Sequence, residues 1–222
     1  NPAQHRLVIV SGARTAMTEY SGTPGYGLLK DVTAIDLGAA AAKAALERGR
    51  VPADKIDHVI FGNAEQTSAD ALYGARHVGL KAGVPEKVPA LTVNRICGSG
   101  LQAVVSGAEQ IQLGRAKTTL CGGMENMSQA PHVIRGARVG FKLGQGVLED
   151  SLMVALRDSQ CGLYMAETAE NLAKEHGISR EAQDELSLRS QRAAAAAIEA
   201  GRLKEEIVPV TVKKGRKEVV ID

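Results

Sequence analysis

Short continuous apolar runs alternate with helically spaced apolar positions from Leu7 to Cys121. Leu7-Val8-Ile9-Val10 is a continuous apolar run of the kind that makes a strand buried on both faces, and Val59-Ile60-Phe61, the short apolar run Ala90–Val93 and Thr118–Cys121 read as three further strands. Between them lie three helical stretches. Thr33 with Asp36 three residues on starts the first, which runs through alanine-rich sequence to Arg48-Gly49. Ser68 caps the second, which stops at Gly83 with Pro85 beyond it. The third carries Leu101, Val104, Val105, Ala108 and Ile111 at helical spacing and stops at Gly114. Residues 11–32 form a long loop containing Gly12, Gly22, Gly25 and Gly27; in a compact domain such a loop is usually functional or covers a neighbour. Strand and helix alternate three times before the fourth strand, which predicts a layered α/β domain with a largely parallel sheet.

The pattern changes after Gly122-Gly123. Residues 124–163 are rich in Gly, Met and Ser and carry no sustained period. A helix is predicted from Met165 to His176, ended by Gly177, with His176 complementing the dipole in the last turn. Ser179 caps another helix, through Leu186, Ala193, Ala197 and Ile198 to Gly201. Ile207–Val212 and Glu218–Ile221 flank the basic stretch Lys213-Lys214-Gly215-Arg216-Lys217 as a hairpin, with Pro209 placing its first strand at an edge. Two domains are therefore expected, residues 1–123 and residues 124–222.

Composition narrows the function classes. A net charge of +2 over 222 residues makes no electrostatic case for nucleic acid or a membrane surface. Trp is absent and Phe and Tyr total only two and four, while Ala and Gly abound, which suits helices packed closely on a sheet. Cysteines stand at 97, 121 and 161, an odd number without C-x-x-C spacing, which argues against a disulfide framework or zinc site and for a reducing compartment such as the cytoplasm or a mitochondrial matrix. The histidines at 5, 58, 77, 132 and 176 have no ligand spacing, so no metal is expected. No signal peptide or membrane span is visible in the sequence.

The candidate chemistry lies in Val93-Asn94-Arg95-Ile96-Cys97-Gly98-Ser99-Gly100-Leu101-Gln102-Ala103. Cys97 is predicted in the first turn of a helix on the carboxyl side of a strand, where free N–H groups and the positive end of the dipole favour a thiolate. Gly98 and Gly100 strip side chains from that turn and open the sulfur to another molecule. Three readings stand: a nucleophile, a buried packing thiol, and a dinucleotide loop, since Gly98–Ala103 matches G-x-G-x-x-A. The acidic residue that the last would need about 20 positions on finds only Glu125, which lies late and beyond Gly122-Gly123.

At Asn94-Arg95-Ile96-Cys97-Gly98-Ser99-Gly100 the chain resembles the thiolases, the acyl-CoA C-acyltransferases. The motifs Ser11–Thr15, Gly122–Ser128, Ala130-Pro131-His132, Thr168–Asn171, Ile178-Ser179-Arg180 and Glu206–Pro209 extend the resemblance over essentially the whole sequence. Gly27–Asp31 and Ala75–Leu80 look most like 3-ketoacyl-CoA thiolases of the mitochondrial type. The resemblance implies a layered α/β domain, with a mixed, largely parallel sheet and helices on both faces, plus most of an α/β loop domain that covers CoA. It implies that Cys97 attacks the 3-keto carbon of a 3-ketoacyl-CoA, that acetyl-CoA leaves, and that CoA collects the acyl group from the Cys97 thioester. The Cys97 N–H would serve an oxyanion hole. Leu156 and Met165 match positions that pack against CoA or its acyl arm. Tyr164 stands beside them, where acetoacetyl-CoA thiolases commonly have His.

Coenzyme A is implied as substrate rather than as a resident cofactor, and a homodimer or homotetramer as the assembly. The family's second half supplies an Asn in N-E-A-F, an activating His in G-H-P and a second Cys in C-x-G. Neither of the first two motifs occurs here, and Cys121-Gly122-Gly123 fits the third from within a strand, where a structural thiol is expected. The chain reads as an amino-terminal half, its carboxy-terminal half absent and supplied by the same or a separate polypeptide; alone it is expected not to turn over. The rival readings are a β-ketoacyl synthase-like condensing enzyme and a non-catalytic acyl-CoA-binding or assembly subunit.

Overall fold

The computed structural model describes residues 7–20 and 27–222. Gly22 and Gly25 of the expected glycine loop, and His5, lie outside the described residues. The chain forms two compact units, one running up to Ala130 and completed by Glu206–Asp222, the other spanning Pro131–Glu205. The sequence pattern placed its division at 123/124 and kept the last residues with the second part; the contacts place it at 130/131 and return the terminal segment to the first unit.

Three parallel strands organise the first unit: β2 (His58–Gly62) lies between β3 (Ala90–Val93) and β4 (Thr119–Gly123). The central strand β2 is buried from Val59 to Gly62, as a strand covered on both faces requires, whereas β3 and β4 are only partly covered, with Leu91 44% exposed. On one face α1 (Ala34–Gly49) and α2 (Gly74–Lys81) cover Val59, Phe61, Leu120 and Met124. Val59, Ile60, Val78 and Ile35 are at most 1% exposed, and each such burial contributes about 1.5–3 kcal/mol. The cap of α1 is the expected one: Thr33 accepts from the Asp36 N–H at 3.1 Å, and its hydroxyl donates to the Asp36 carboxylate at 2.7 Å. The cap of α2 is not. Ser68 donates to Asp70 at 2.8 Å inside a turn, and the α-helix opens six residues later at Gly74. Asp70 in turn binds His77 at 2.8 Å, so this segment's polar side chains satisfy one another rather than a helix end.

The other face carries α3 (Ser99–Gln112). The residues it buries are Ser99, Ala103 and Gly107, whereas Leu101, Val104 and Val105 of the predicted stripe are 72%, 38% and 43% exposed. The reason is the closeness of the packing. A Cβ at Gly62 would stand 2.6 Å from the Ser99 carbonyl oxygen, and one at Gly107 would overlap Cys121 Sγ, so only small residues fit where helix and sheet meet.

Leu7–Val10 is not a strand among the described residues, and its side chains are exposed, Ile9 at 85%. The chain makes its first pairing further on, where β1 (Arg14–Thr15) runs parallel to β7 (Ile207–Val208). Arg48 at the end of α1 fixes that return by donating to the Glu206 and Ile207 carbonyls, each at 2.9 Å. The terminal hairpin is shifted relative to the sequence pattern: it begins at Val210 rather than Ile207, and its strands take in Lys213, Lys214 and Lys217, leaving Gly215-Arg216 as the turn. Pro209 splits Ile207–Val208 from β8 (Val210–Lys214), which pairs antiparallel with β9 (Lys217–Ile221).

The second unit holds a two-stranded ribbon, β5 (His132–Ile134) with β6 (Leu148–Asp150), then α4 (Ser151–Ala155), α5 (Met165–Glu175) and α6 (Arg180–Glu199). Ordered short elements thus occupy part of the stretch whose sequence shows no period. Asp150 caps α4 through the Leu152 N–H at 3.0 Å, and Ser179 caps α6 through the Ala182 N–H at 3.2 Å. Gly177 and Gly201 end α5 and α6 in the left-handed region, at φ 62° and 67°.

Candidate active site

Cys97 lies between the end of β3 and the start of α3, at the carboxyl edge of the parallel sheet, where open α/β folds place their ligands. It sits one residue before the N-cap Gly98 rather than inside the first turn, and its side chain is exposed. Cys97 is therefore not a core thiol of the described residues. A packing thiol does exist, at Cys121. There burial pushes the thiol pKa above its ordinary value of 9.0, against a weaker opposing effect of the Thr119 hydroxyl 3.5 Å away.

The turn that presents Cys97 is built from its own polar neighbours. Ile96 stands at φ 49°, a conformation that β-branched residues avoid and that costs about 1–3 kcal/mol. Asn94 accepts from the Ile96 N–H at 2.9 Å, closing a local side-chain turn. Ser99, only 5% exposed, accepts from the Arg95 N–H at 2.8 Å and donates to the Ile96 carbonyl at 2.6 Å. The Ser99 N–H bonds the same carbonyl at 3.1 Å, and the Gly98 N–H bonds Arg95 O at 3.0 Å. Five hydrogen bonds therefore hold a strained residue immediately before the sulfur. The roles of Asn94 and Ser99 were not singled out from the sequence; the liking of Asn and Ser for bonds to nearby backbone was the available signal.

A second polar cluster adjoins this turn at the same end of the sheet. Glu125, just after β4, accepts from the Asn63 side chain at 2.9 Å and from the Ala64 and Glu65 N–H groups at 2.9 and 3.3 Å. Glu125, the residue a dinucleotide loop would have needed for a ribose, spends its carboxylate on this loop instead.

Leu156, Tyr164 and Met165 belong to the second unit and come together there. The Met165 N–H donates to Leu156 O at 3.2 Å, and Arg157 lies 5.7 Å over the Tyr164 ring. Tyr164 also lines an open cleft of about 650 Å³ with Arg135, Glu149, Met153 and Arg157. Leu156 and Met165 are not among its lining residues, and their side chains are 41% and 50% exposed. Among the described residues no group of three His, Cys, Asp or Glu side chains is placed to hold a metal ion, and no helix is long and apolar enough to cross a membrane.

The chain is similar in sequence and fold to known proteins. The human mitochondrial 3-ketoacyl-CoA thiolase is 49% identical over 219 residues, a match covering 97% of this chain and 54% of the relative. The acetyl-CoA acetyltransferase of Escherichia coli is 47% identical over 219 residues, covering 96% of this chain and 53% of the relative. The crystal structure of the human mitochondrial enzyme in complex with CoA superposes with a TM-score of 0.88 at 49% identity, covering 96% of this chain and 52% of that one. The chain spans about half the length of these relatives. The family model "Thiolase, N-terminal domain" matches residues 7–222, and the chain belongs to the thiolase family.

Proposed function

We propose that this chain supplies the acyl-carrying nucleophile of a thiolase. Cys97 attacks the 3-keto carbon of a 3-ketoacyl-CoA, the bond between C2 and C3 breaks, and acetyl-CoA departs with the electron pair and a proton. The acyl group remains on Cys97 as a thioester until a CoA thiol displaces it; run backwards, the same steps condense two acyl-CoA molecules. The observation that carries this reading is the exposed Cys97 behind a strained, fully hydrogen-bonded Ile96 at the carboxyl edge of the sheet. A packing residue needs neither the exposure nor the strain. Such a turn holds a nucleophile where a bound thioester can meet it without reorganisation.

Leu156, Tyr164 and Met165 contribute CoA contacts in this reading. Their support is the exposed apolar surface that Leu156 and Met165 present and the CoA complex of the human relative. The activating His of the family lies in a motif this sequence does not contain, and Cys121-Gly122-Gly123 fits the second-Cys motif only from within β4, so turnover draws on a second half, and assembly as a homodimer or homotetramer follows the family. The test joins this chain to a carboxy-terminal thiolase half and follows thiolysis across a chain-length series of 3-ketoacyl-CoA substrates. Turnover that vanishes with Cys97→Ala is expected. Binding of acyl-CoA without turnover in the joined protein would favour the binding-subunit reading instead.

A further inference from the structure

We propose that Glu125 is a positioning residue for Cys97, acting through the backbone of residues 63–65 and the side chain of Asn94. The proposal rests on the nucleophile reading above and names a residue that serves it from a distance. The chain of contacts is continuous. One Glu125 oxygen accepts from Asn63 Nδ2 at 2.9 Å, and the other accepts from the Ala64 and Glu65 N–H groups at 2.9 and 3.3 Å. Asn63 is 1% exposed, and its amide also donates to Met124 O at 3.0 Å, so its orientation is fixed. The carbonyl of Ala64 accepts from Asn94 Nδ2 at 3.1 Å, and Asn94 Oδ1 accepts from the Ile96 N–H at 2.9 Å. Cys97 is the next residue.

Joining β2 to β4 does not require this device. The two strands already pair from His58↔Thr119 to Gly62↔Gly123, and the Met124 N–H bonds Gly62 O at 3.0 Å beyond them. What the carboxylate adds is a defined path for the loop leaving β2, and Asn94 reads that path through the Ala64 carbonyl. The backbone strain follows the same line. Of the three non-glycine residues with positive φ among those described, Arg50 caps α1, while Gln66 and Ile96 lie on two of the three loops that the network ties together. Only a carboxylate fits the centre, because it accepts at both oxygens. A glutamine would turn its NH₂ toward at least one of the three donors whichever way it flipped.

The experiment uses this chain joined to a carboxy-terminal thiolase half and measures amide hydrogen exchange at Ile96, and the rate of Cys97 acetylation by acetyl-CoA, in the parent, Glu125→Gln, Asn94→Ala and the double variant. In the acetylation Cys97 sulfur forms the new thioester bond, and CoA leaves as its thiol with the proton. Glu125→Gln is expected to speed Ile96 exchange by about tenfold, the scale of a lost charge-assisted hydrogen bond. Acetylation should slow comparably, while alkylation of Cys97 by iodoacetamide, which needs no aligned thioester, stays within about twofold. Exchange at Ile60 in β2 serves as the control for general loosening. Asn94→Ala should reproduce both effects and abolish any further effect of Glu125→Gln, because the link between them is gone. Unchanged Ile96 exchange in Glu125→Gln, or fully additive effects in the double variant, would overturn the proposal. If Glu125→Gln does not fold, unchanged Ile96 exchange in Asn94→Ala overturns it alone. Failure of the joined parent protein to acetylate sinks the nucleophile reading instead, and the exchange comparison still decides the coupling.

Discussion

Replacing Ser99 with alanine removes one oxygen from the turn before α3 and tests whether that turn is held as described. Two hydrogen bonds go with it, from the Arg95 N–H at 2.8 Å and to the Ile96 carbonyl at 2.6 Å. The Ile96 carbonyl keeps the Ser99 N–H at 3.1 Å, so it is weakened but not orphaned. The Arg95 N–H loses its partner beside a side chain that is only 5% exposed. Two net hydrogen bonds at about 1 kcal/mol each, plus part of the cost of an unpaired donor, come to about 2–3 kcal/mol. Alanine's better helix propensity returns about 0.5 kcal/mol. A loss of about 2 kcal/mol is therefore expected, which with a urea slope of about 2 kcal/mol/M moves the midpoint down by about 1 M. Because the chain folds as two compact units, the probe must report on the first alone. Pulse alkylation of Cys121 does so, since that thiol is shielded between β4 and α3. A Cys121 midpoint unchanged in Ser99→Ala would show that Ser99 does not hold the turn.

Three further outcomes follow from the same geometry. Gly62→Ala should cost at least about 2 kcal/mol in the same assay, because the new methyl meets the backbone of Ser99 and Gly100, which cannot rotate away; a neutral substitution would mean that α3 lies further from the sheet. Ile96→Gly relieves the positive φ of a side chain that is 59% exposed, so stability should hold or rise by up to about 1 kcal/mol while Cys97 acetylation slows; faster acetylation would contradict a positioning role for the strain. Asp57 accepts from the Lys117 and Thr118 N–H groups at 2.7 and 3.1 Å, which holds its carboxyl below the ordinary 3.8. Its contribution is complete above that value and is lost as pH falls through the lower folded value. Asp57→Asn should therefore flatten the acid side of the stability profile between about pH 5 and about pH 2, and an unaltered profile would exclude Asp57 as a source of it.

Legibility in the sequence divided along a physical line. Local, short-range chemistry was readable: the Thr33 and Ser179 caps, the glycine stops at 177 and 201, and the strand, cysteine turn and helix around residues 90–112. Features set by what a surface meets were not. The spacing of Leu101, Val104 and Val105 is truly helical, but the sheet opposite is faced by Gly62 and Gly123 and admits only the small side of the helix. Leu7–Val10 has the composition of a buried strand, yet a strand exists only with a partner, and the described residues offer it none. Ser68 looked like a cap because of what surrounds it in sequence; Asp70 claimed its hydroxyl first. The site divided in the same way. Cys97 could be chosen from its flanking glycines, whereas the route from Glu125 to Asn94 joins three loops and has no local signature.

The central claim is that Cys97 carries the acyl group. The most direct measurement joins this chain to a carboxy-terminal thiolase half, incubates it with radiolabelled acetyl-CoA without a second acceptor, quenches in acid and maps the label by peptide. Label on the peptide containing Cys97, absent in Cys97→Ala, is the predicted result. Equal labelling in Cys97→Ala, or label confined to the peptides of Cys121 or Cys161, would contradict it.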